Sequence, residues 1–121
     1  MADNFIQVFL DRAFEEKEQV LNFIAEQANP LEKDYLVGLL KEREVVGSIF
    51  IAEQIILPHL ESSRVESSRI LFIKLRRELP WDDKGNVKLA VVILLKKQEK
   101  QEIKLKISQF TRTLEIGRAH V

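Results

Sequence analysis

The stretch Leu89–Leu95, LAVVILL, runs seven apolar residues without a polar interruption. Successive side chains of a strand point to opposite faces, so a strand with one face in water alternates apolar and polar residues. A short run without alternation, rich in β-branched residues, is a strand that must be covered on both faces. The run implies helices on both faces of a sheet, and together with the order β-α-α-β-β-β-β-α of the elements below it predicts a mixed β-sheet flanked by helices on both faces, an α/β fold.

The remaining segments supply the parts. Ile6, Val8 and Leu10 alternate with Gln7, Phe9 and Asp11, which predicts a strand over Phe5–Leu10. Glu15 and Glu16 suit a helix N-terminus, and Val20, Leu21, Ile24, Ala25 and Ala28 share one helical face before Pro30 stops the run, predicting a helix over Glu15–Gln27. Leu36, Leu39 and Leu40 mark a second helix reaching Glu44 and closed by Gly47. Short strands are predicted at Ile49–Ile51 and Ile55–Leu57, with His59 just after the second, behind Pro58. Ile70–Leu75 is another strand, Asp82–Asn86 a turn, and Ile103, Ile107, Phe110 and Leu114 line one face of a third helix from about Gln98.

A chain of 121 residues suits one domain. Nineteen basic residues offset nineteen acidic ones, so no overall field points to nucleic acid or to an anionic membrane. The longest apolar run falls far short of the roughly 18 residues that span a bilayer, so no membrane insertion is expected. Met1–Leu10 carries Asp3 and no basic n-region, and cysteine is absent, which excludes disulfides and thiolate chemistry. A cytoplasmic location is expected. One back-translation of the last seven residues, EIGRAHV, is in all but its first base the opening of a widely used DNA-sequencing adapter. The natural chain is therefore expected to continue past Leu114 with another sequence, with 1–114 the domain, 115–121 adapter read-through, the third helix cut short, and His120 without meaning.

His59 is then the one natural histidine. An imidazole can take and return a phosphoryl group near neutral pH, because its neutral nitrogen is nucleophilic and the phosphoramidate is labile. Pro58 fixes the backbone ahead of the ring. Taken alone, though, a histidine after a proline is more often an ordinary surface residue. A metal site from His59 with Glu61 and Glu66 is poorly specified, since one histidine with loop carboxylates is commonplace, and neither metal nor cofactor is expected. The Lys96–Lys106 stretch alternates in sign like a solvated helix face, and Trp81 after Pro80 is expected to anchor a loop on the sheet.

Arg43-Glu44, then Gly47-Ser48, then Ile55-Ile56-Leu57-Pro58-His59, followed by Leu79-Pro80-Trp81, a charged turn and the apolar strand, form an ordered pattern. It resembles the IIA domains of the fructose/mannitol branch of the sugar phosphotransferase system over nearly the whole chain up to Leu114. The resemblance implies that fold, with His59 accepting phosphoryl from the phosphocarrier protein HPr and passing it to a IIB domain. It implies Arg43 beside the phosphoacceptor, where a guanidinium can hold phosphoryl oxygens, against the plain alternative of a salt bridge to Glu44 or Glu53. Ser48 becomes a candidate donor to a phosphoryl oxygen, although loop serines commonly bond their own backbone.

The sequence departs from the family at Ile49, where threonine is usual, and at Ala52, where glycine is frequent. It also lacks the family's second histidine, whose neighbourhood here reads Lys100 to Lys104 with Glu102 and Ile103 at the matching place. Neither of those two donates a hydrogen bond to a phosphoryl group, and an ionised Glu102 repels it. Two other readings follow: a regulatory IIA-like domain of a sugar-responsive transcription regulator or antiterminator, or an interaction module that is never phosphorylated.

Overall fold

A computed structural model describes the backbone of residues 5–119 and the side chains of 5–114. The predicted read-through stretch 115–121, His120 included, lies outside the residues whose side chains are described.

The sheet forms around the strand that the uninterrupted apolar run demands. That strand, β6 (Asn86–Lys96), follows β1 (Ile6–Arg12), β2 (Phe50–Ala52), β3 (Ile55–Ile56), β4 (His59–Ser62) and β5 (Arg69–Pro80) in the chain. Helices α1 (Lys17–Ala28) and α2 (Lys33–Val46) lie between β1 and β2, and α3 (Gln101–Ala119) follows β6. The strand order is β1-β5-β6-β3-β2, with β4 also paired to β6. Pairings of β1 with β5 and of β3 and β4 with β6 are parallel, whereas β5–β6 and β2–β3 are antiparallel. The expected mixed sheet is what forms.

Its two faces are covered as the run requires. Ala90, Val92 and Leu94 join the core beneath α1 and α2, where Val20, Leu21, Ile24, Leu36 and Leu40 are buried. The alternate residues Val91, Ile93 and Leu95 face the other way, onto Ile107, Ile103, Phe110 and Leu114 of α3. Burying an apolar side chain of this size contributes roughly 1.5–3 kcal/mol. Both faces of β6 therefore hold the layers together.

Local chemistry sets the helix ends. The Gln19 side-chain oxygen accepts from the backbone N–H groups of Glu15 and Glu16, at 2.6 and 3.2 Å, satisfying donors ahead of α1. Asn29 ends that helix, and its side chain accepts from Leu31 N–H at 3.1 Å to start a short 3-10 turn at Pro30–Glu32.

The strand reading needs one correction, at His59. His59 follows β3 behind Pro58 as expected, but it also opens a further strand, β4, whose four residues pair with Ile93–Lys96. Pro58 has no N–H to donate, so it breaks the edge strand between β3 and β4, but its carbonyl still accepts from Ile93 N–H at 2.9 Å. β3 and β4 thus run along β6 as one strand interrupted by proline. β5 and β6 also extend beyond their apolar cores into a long hairpin, where Leu79 pairs with Val87. Its turn uses positive φ at Asp82 (57° being the comparable value at Asp11, 55° here) and 128° at Gly85, a conformation that suits glycine.

Candidate functional site

In β4 the side chains alternate between inside and outside. Leu60 and Ser62 are buried while His59 and Glu61 are exposed, because a strand's successive residues face opposite ways. The β4 backbone is held to β6, in the middle of the sheet, so the imidazole stands on a rigid base at a sheet margin.

Opposite it lies the end of α2. Leu39, Glu42, Arg43 and Val46 of that helix and His59, Leu60 and Glu61 of β4 line one open cavity of about 390 Å³. Positions 39, 42, 43 and 46 are spaced three and four apart, the spacing of one helix face. The fold therefore brings Arg43 of α2 and His59 of β4 to the same concave surface. Arg43 also donates from Nη1 to the carbonyl of Gly47 at 3.4 Å, closing the helix end.

The surroundings favour the neutral form of the ring. Loss of water around the imidazole holds the His59 pKa below its ordinary 6.5; Glu61 opposes this and the Arg43 guanidinium reinforces it. A neutral ring nitrogen with a lone pair is the nucleophilic form, and an adjacent guanidinium offers donors to an anion arriving there. The arrangement suits attack on an electrophile that carries negative charge.

The other candidates are placed differently. Ser48 does not line this cavity, and its Oγ accepts from the backbone N–H of Phe50 at 3.1 Å, the local turn common for loop serines. Arg43 forms no ion pair within 4.0 Å with Glu44 or Glu53 among the described residues. Glu44 turns inward instead. Its Oε1 accepts from Trp81 Nε1 at 2.9 Å and from Lys17 Nζ at 3.1 Å. Trp81 is fully buried and, as expected, anchors its loop.

Glu66, the outer carboxylate of the weak metal constellation, acts electrostatically on Arg69 and is not part of the His59 cavity. Of the two residues in the neighbourhood expected for a second histidine, Glu102 is exposed and Ile103 is half-buried, packing against the cluster of Ile70, Val91 and Ile93.

Sequence reasoning missed Glu42, Val46 and Leu39 as lining residues. Their helical spacing from Arg43 was the available signal. It also missed the inward turn of Glu44, for which charge next to charge in Arg43-Glu44 gives no cue.

The fold is shared with known proteins. The family described as "Phosphoenolpyruvate-dependent sugar phosphotransferase system, EIIA 2" matches residues 4–116. Among solved structures, the nitrogen regulatory protein IIA-Ntr from Neisseria meningitidis is similar with a TM-score of 0.63 at 17% identity, covering 88% of this chain and 75% of that one. The mannitol IIA of Escherichia coli gives 0.62 at 21% identity, covering 89% and 79%. A structure of the Escherichia coli mannitol IIA in complex with phosphorylated mannitol IIB gives 0.60 at 21% identity, covering 95% and 81%. No curated protein sequence matches the chain. Among the described residues, no helix is long and apolar enough to cross a membrane.

Proposed function

The chain belongs to the phosphoenolpyruvate-dependent sugar phosphotransferase system EIIA 2 family, and from that premise we propose that it is a phosphocarrier domain in which His59 accepts phosphoryl from phospho-HPr and passes it to a IIB domain. The observation that carries this reading is the shared cavity, with a neutral imidazole and the Arg43 guanidinium on one concave surface. In the first step the lone pair of a His59 ring nitrogen forms the bond to phosphorus. The bond from phosphorus to the donor's own atom breaks, and its electron pair stays with the donor. In the second step the nucleophile of IIB attacks the same phosphorus and His59 leaves with the electron pair.

Arg43 is assigned to the phosphoryl oxygens, whose charge its planar donors match. The IIB partner is supported by the similar Escherichia coli mannitol IIA, which was solved with phosphorylated IIB. Transfer of this kind belongs in the cytoplasm, where sugar uptake delivers its product. We assign the carrier unit to 1–114 and the last seven residues to adapter sequence; amplification of the gene from source DNA tests that assignment.

One observation favours a second reading, a regulatory IIA-like domain. Ile103 offers no donor to a phosphoryl group, and it is engaged in the core instead. A sensor tolerates slow transfer better than a carrier does, and one similar structure is a nitrogen regulatory IIA.

The test is incubation with phosphoenolpyruvate, Enzyme I and HPr, followed by assay for acid-labile phosphate. Label on the wild type that is lost in His59→Ala is the expected result, and discharge on adding IIB separates carrier from regulator. A folded wild type that takes no label overturns both and leaves an interaction module.

A further inference from the structure

We propose that Glu44 is a positioning residue for the His59 site: held inward by Lys17 and Trp81, it sets the rotation of the last turn of α2 and so aims Arg43 into the cavity. The purpose of this arrangement rests on the phosphoacceptor reading, but its geometry does not.

Apart from Glu44, the last turn of α2 is held by two exposed contacts, the Lys41–Glu18 ion pair to α1 at 3.0 Å and the bond from Arg43 Nη1 to the Gly47 carbonyl at 3.4 Å, and contacts at the surface contribute little. Beyond Leu40, the residues Lys41, Glu42, Arg43, Val45 and Val46 are all exposed, and only Glu44 is buried. Val45 and Val46 are 86% and 84% exposed, so apolar burial does not dock this turn. Gly47 follows, without a side chain to cap the helix. Helix ends without such anchors fray.

The anchor is a single carboxylate oxygen that joins three elements. Glu44 Oε1 accepts from Trp81 in the β5–β6 turn and from Lys17, the first residue of α1. Lys17 reaches on to Asp82 at 2.6 Å and lies over the Trp81 ring, 5.1 Å from its centroid. Burial strips water from the Lys17 ammonium, but the Asp82 and Glu44 carboxylates outweigh this and hold its pKa above 10.5.

Stability alone does not account for a carboxylate here. Glu44 Oε2 is buried with no hydrogen-bond partner among the described residues, a cost that an apolar side chain would avoid. What the carboxylate adds is direction, because charge-assisted bonds from two fixed donors restrict rotation of the turn. Successive helix residues are about 100° apart around the axis. With Glu44 pointing inward, Arg43 is turned to the flank where Leu39, Glu42 and Val46 face His59.

The test is an NMR titration of His59 in the whole chain, in wild type, Glu44→Gln, Arg43→Ala and the double variant. The charges around the ring are Arg43, Glu42 and Glu61, on the two elements that form the cavity. Simple loss of a negative charge at Glu44 would lower the His59 pKa. Release of Arg43 raises it, because Arg43 is one of the groups that depress it. The expected result is an upward shift in Glu44→Gln, and a double variant that titrates no higher than Arg43→Ala alone. A downward or absent shift in Glu44→Gln, or shifts that add in the double variant, overturns the proposal. If Glu44→Gln does not fold, Trp81→Phe, which removes one of the two donors, is read by the same criteria. The phosphate-labelling rate should fall in Glu44→Gln and fall no further when the change is added to Arg43→Ala. A wild type that takes no label counts against the proposed function, while the titration still decides the role of Glu44.

Discussion

Replacing Trp81 by phenylalanine isolates the buried link between the β5–β6 turn and α2. Trp81 is fully buried, and its Nε1 donates to Glu44 at 2.9 Å in a site closed to water. A hydrogen bond to a charged group contributes about 1.5–3 kcal/mol, and its loss leaves Glu44 with Lys17 as its remaining donor. Phenylalanine also leaves part of the indole volume empty, which costs about 1 kcal/mol more. The expected destabilisation is therefore roughly 2–4 kcal/mol, a large share of the roughly 5–15 kcal/mol that holds a domain folded. Urea unfolding at pH 7 should be followed by circular dichroism, since the substitution removes the only tryptophan. With a slope of about 2 kcal/mol/M, the midpoint should fall by about 1–2 M. In a Glu44→Leu background the same substitution should cost only the packing loss of about 1 kcal/mol. A loss below about 1 kcal/mol in the wild-type background, with the slope unchanged, would refute the reasoning, because it would mean that the bond to Glu44 contributes nothing net.

His59 should also couple stability to pH. Its folded-state pKa lies below the unfolded value near 6.5, so between the two the unfolded chain binds more protons. Its contribution is full above pH 6.5 and is lost as pH falls through the folded pKa; thermal melts from pH 7.5 to 5 should show this, with a flatter slope in His59→Gln. An unchanged slope would show that the ring is not depressed in the folded state. Ser48→Ala should cost about 0.5–1 kcal/mol through the lost bond to Phe50 N–H, and should leave phosphate labelling unaltered. A tenfold fall in labelling at equal stability would instead make Ser48 a donor to the phosphoryl group.

The periodic parts of the fold were legible because burial pattern and element type are local properties. The α1 residues Val20, Leu21, Ile24, Ala25 and Ala28 are the buried face that their spacing announces. On α3 the same kind of spacing buries Ile107 and packs the partly buried Ile103, Phe110 and Leu114 beside it. The strand at His59 was not legible, since HLES is short and polar and follows a proline. It exists because Ile93–Lys96 of β6 offers a partner.

For the site, the Arg43 to His59 spacing carried the family resemblance, and the structure brings those two residues to one cavity. Ser48 belongs to the same stretch of sequence but bonds locally to Phe50, a choice between backbone and ligand that a residue type does not settle.

By itself, then, the sequence determined the class of fold, since an unbroken apolar strand is stable only between two covering layers. It also singled out His59 as a candidate nucleophile, because reactivity at neutral pH is a property of the imidazole. Only the tertiary structure decided which charges face that ring and which turn inward. Arg43 and Glu44 are neighbours in the chain with opposite destinations, one beside His59 and the other under Trp81. That division depends on where α1 and the β5–β6 turn place Lys17 and Trp81, contacts between residues 27 and 37 positions apart from Glu44 in the chain.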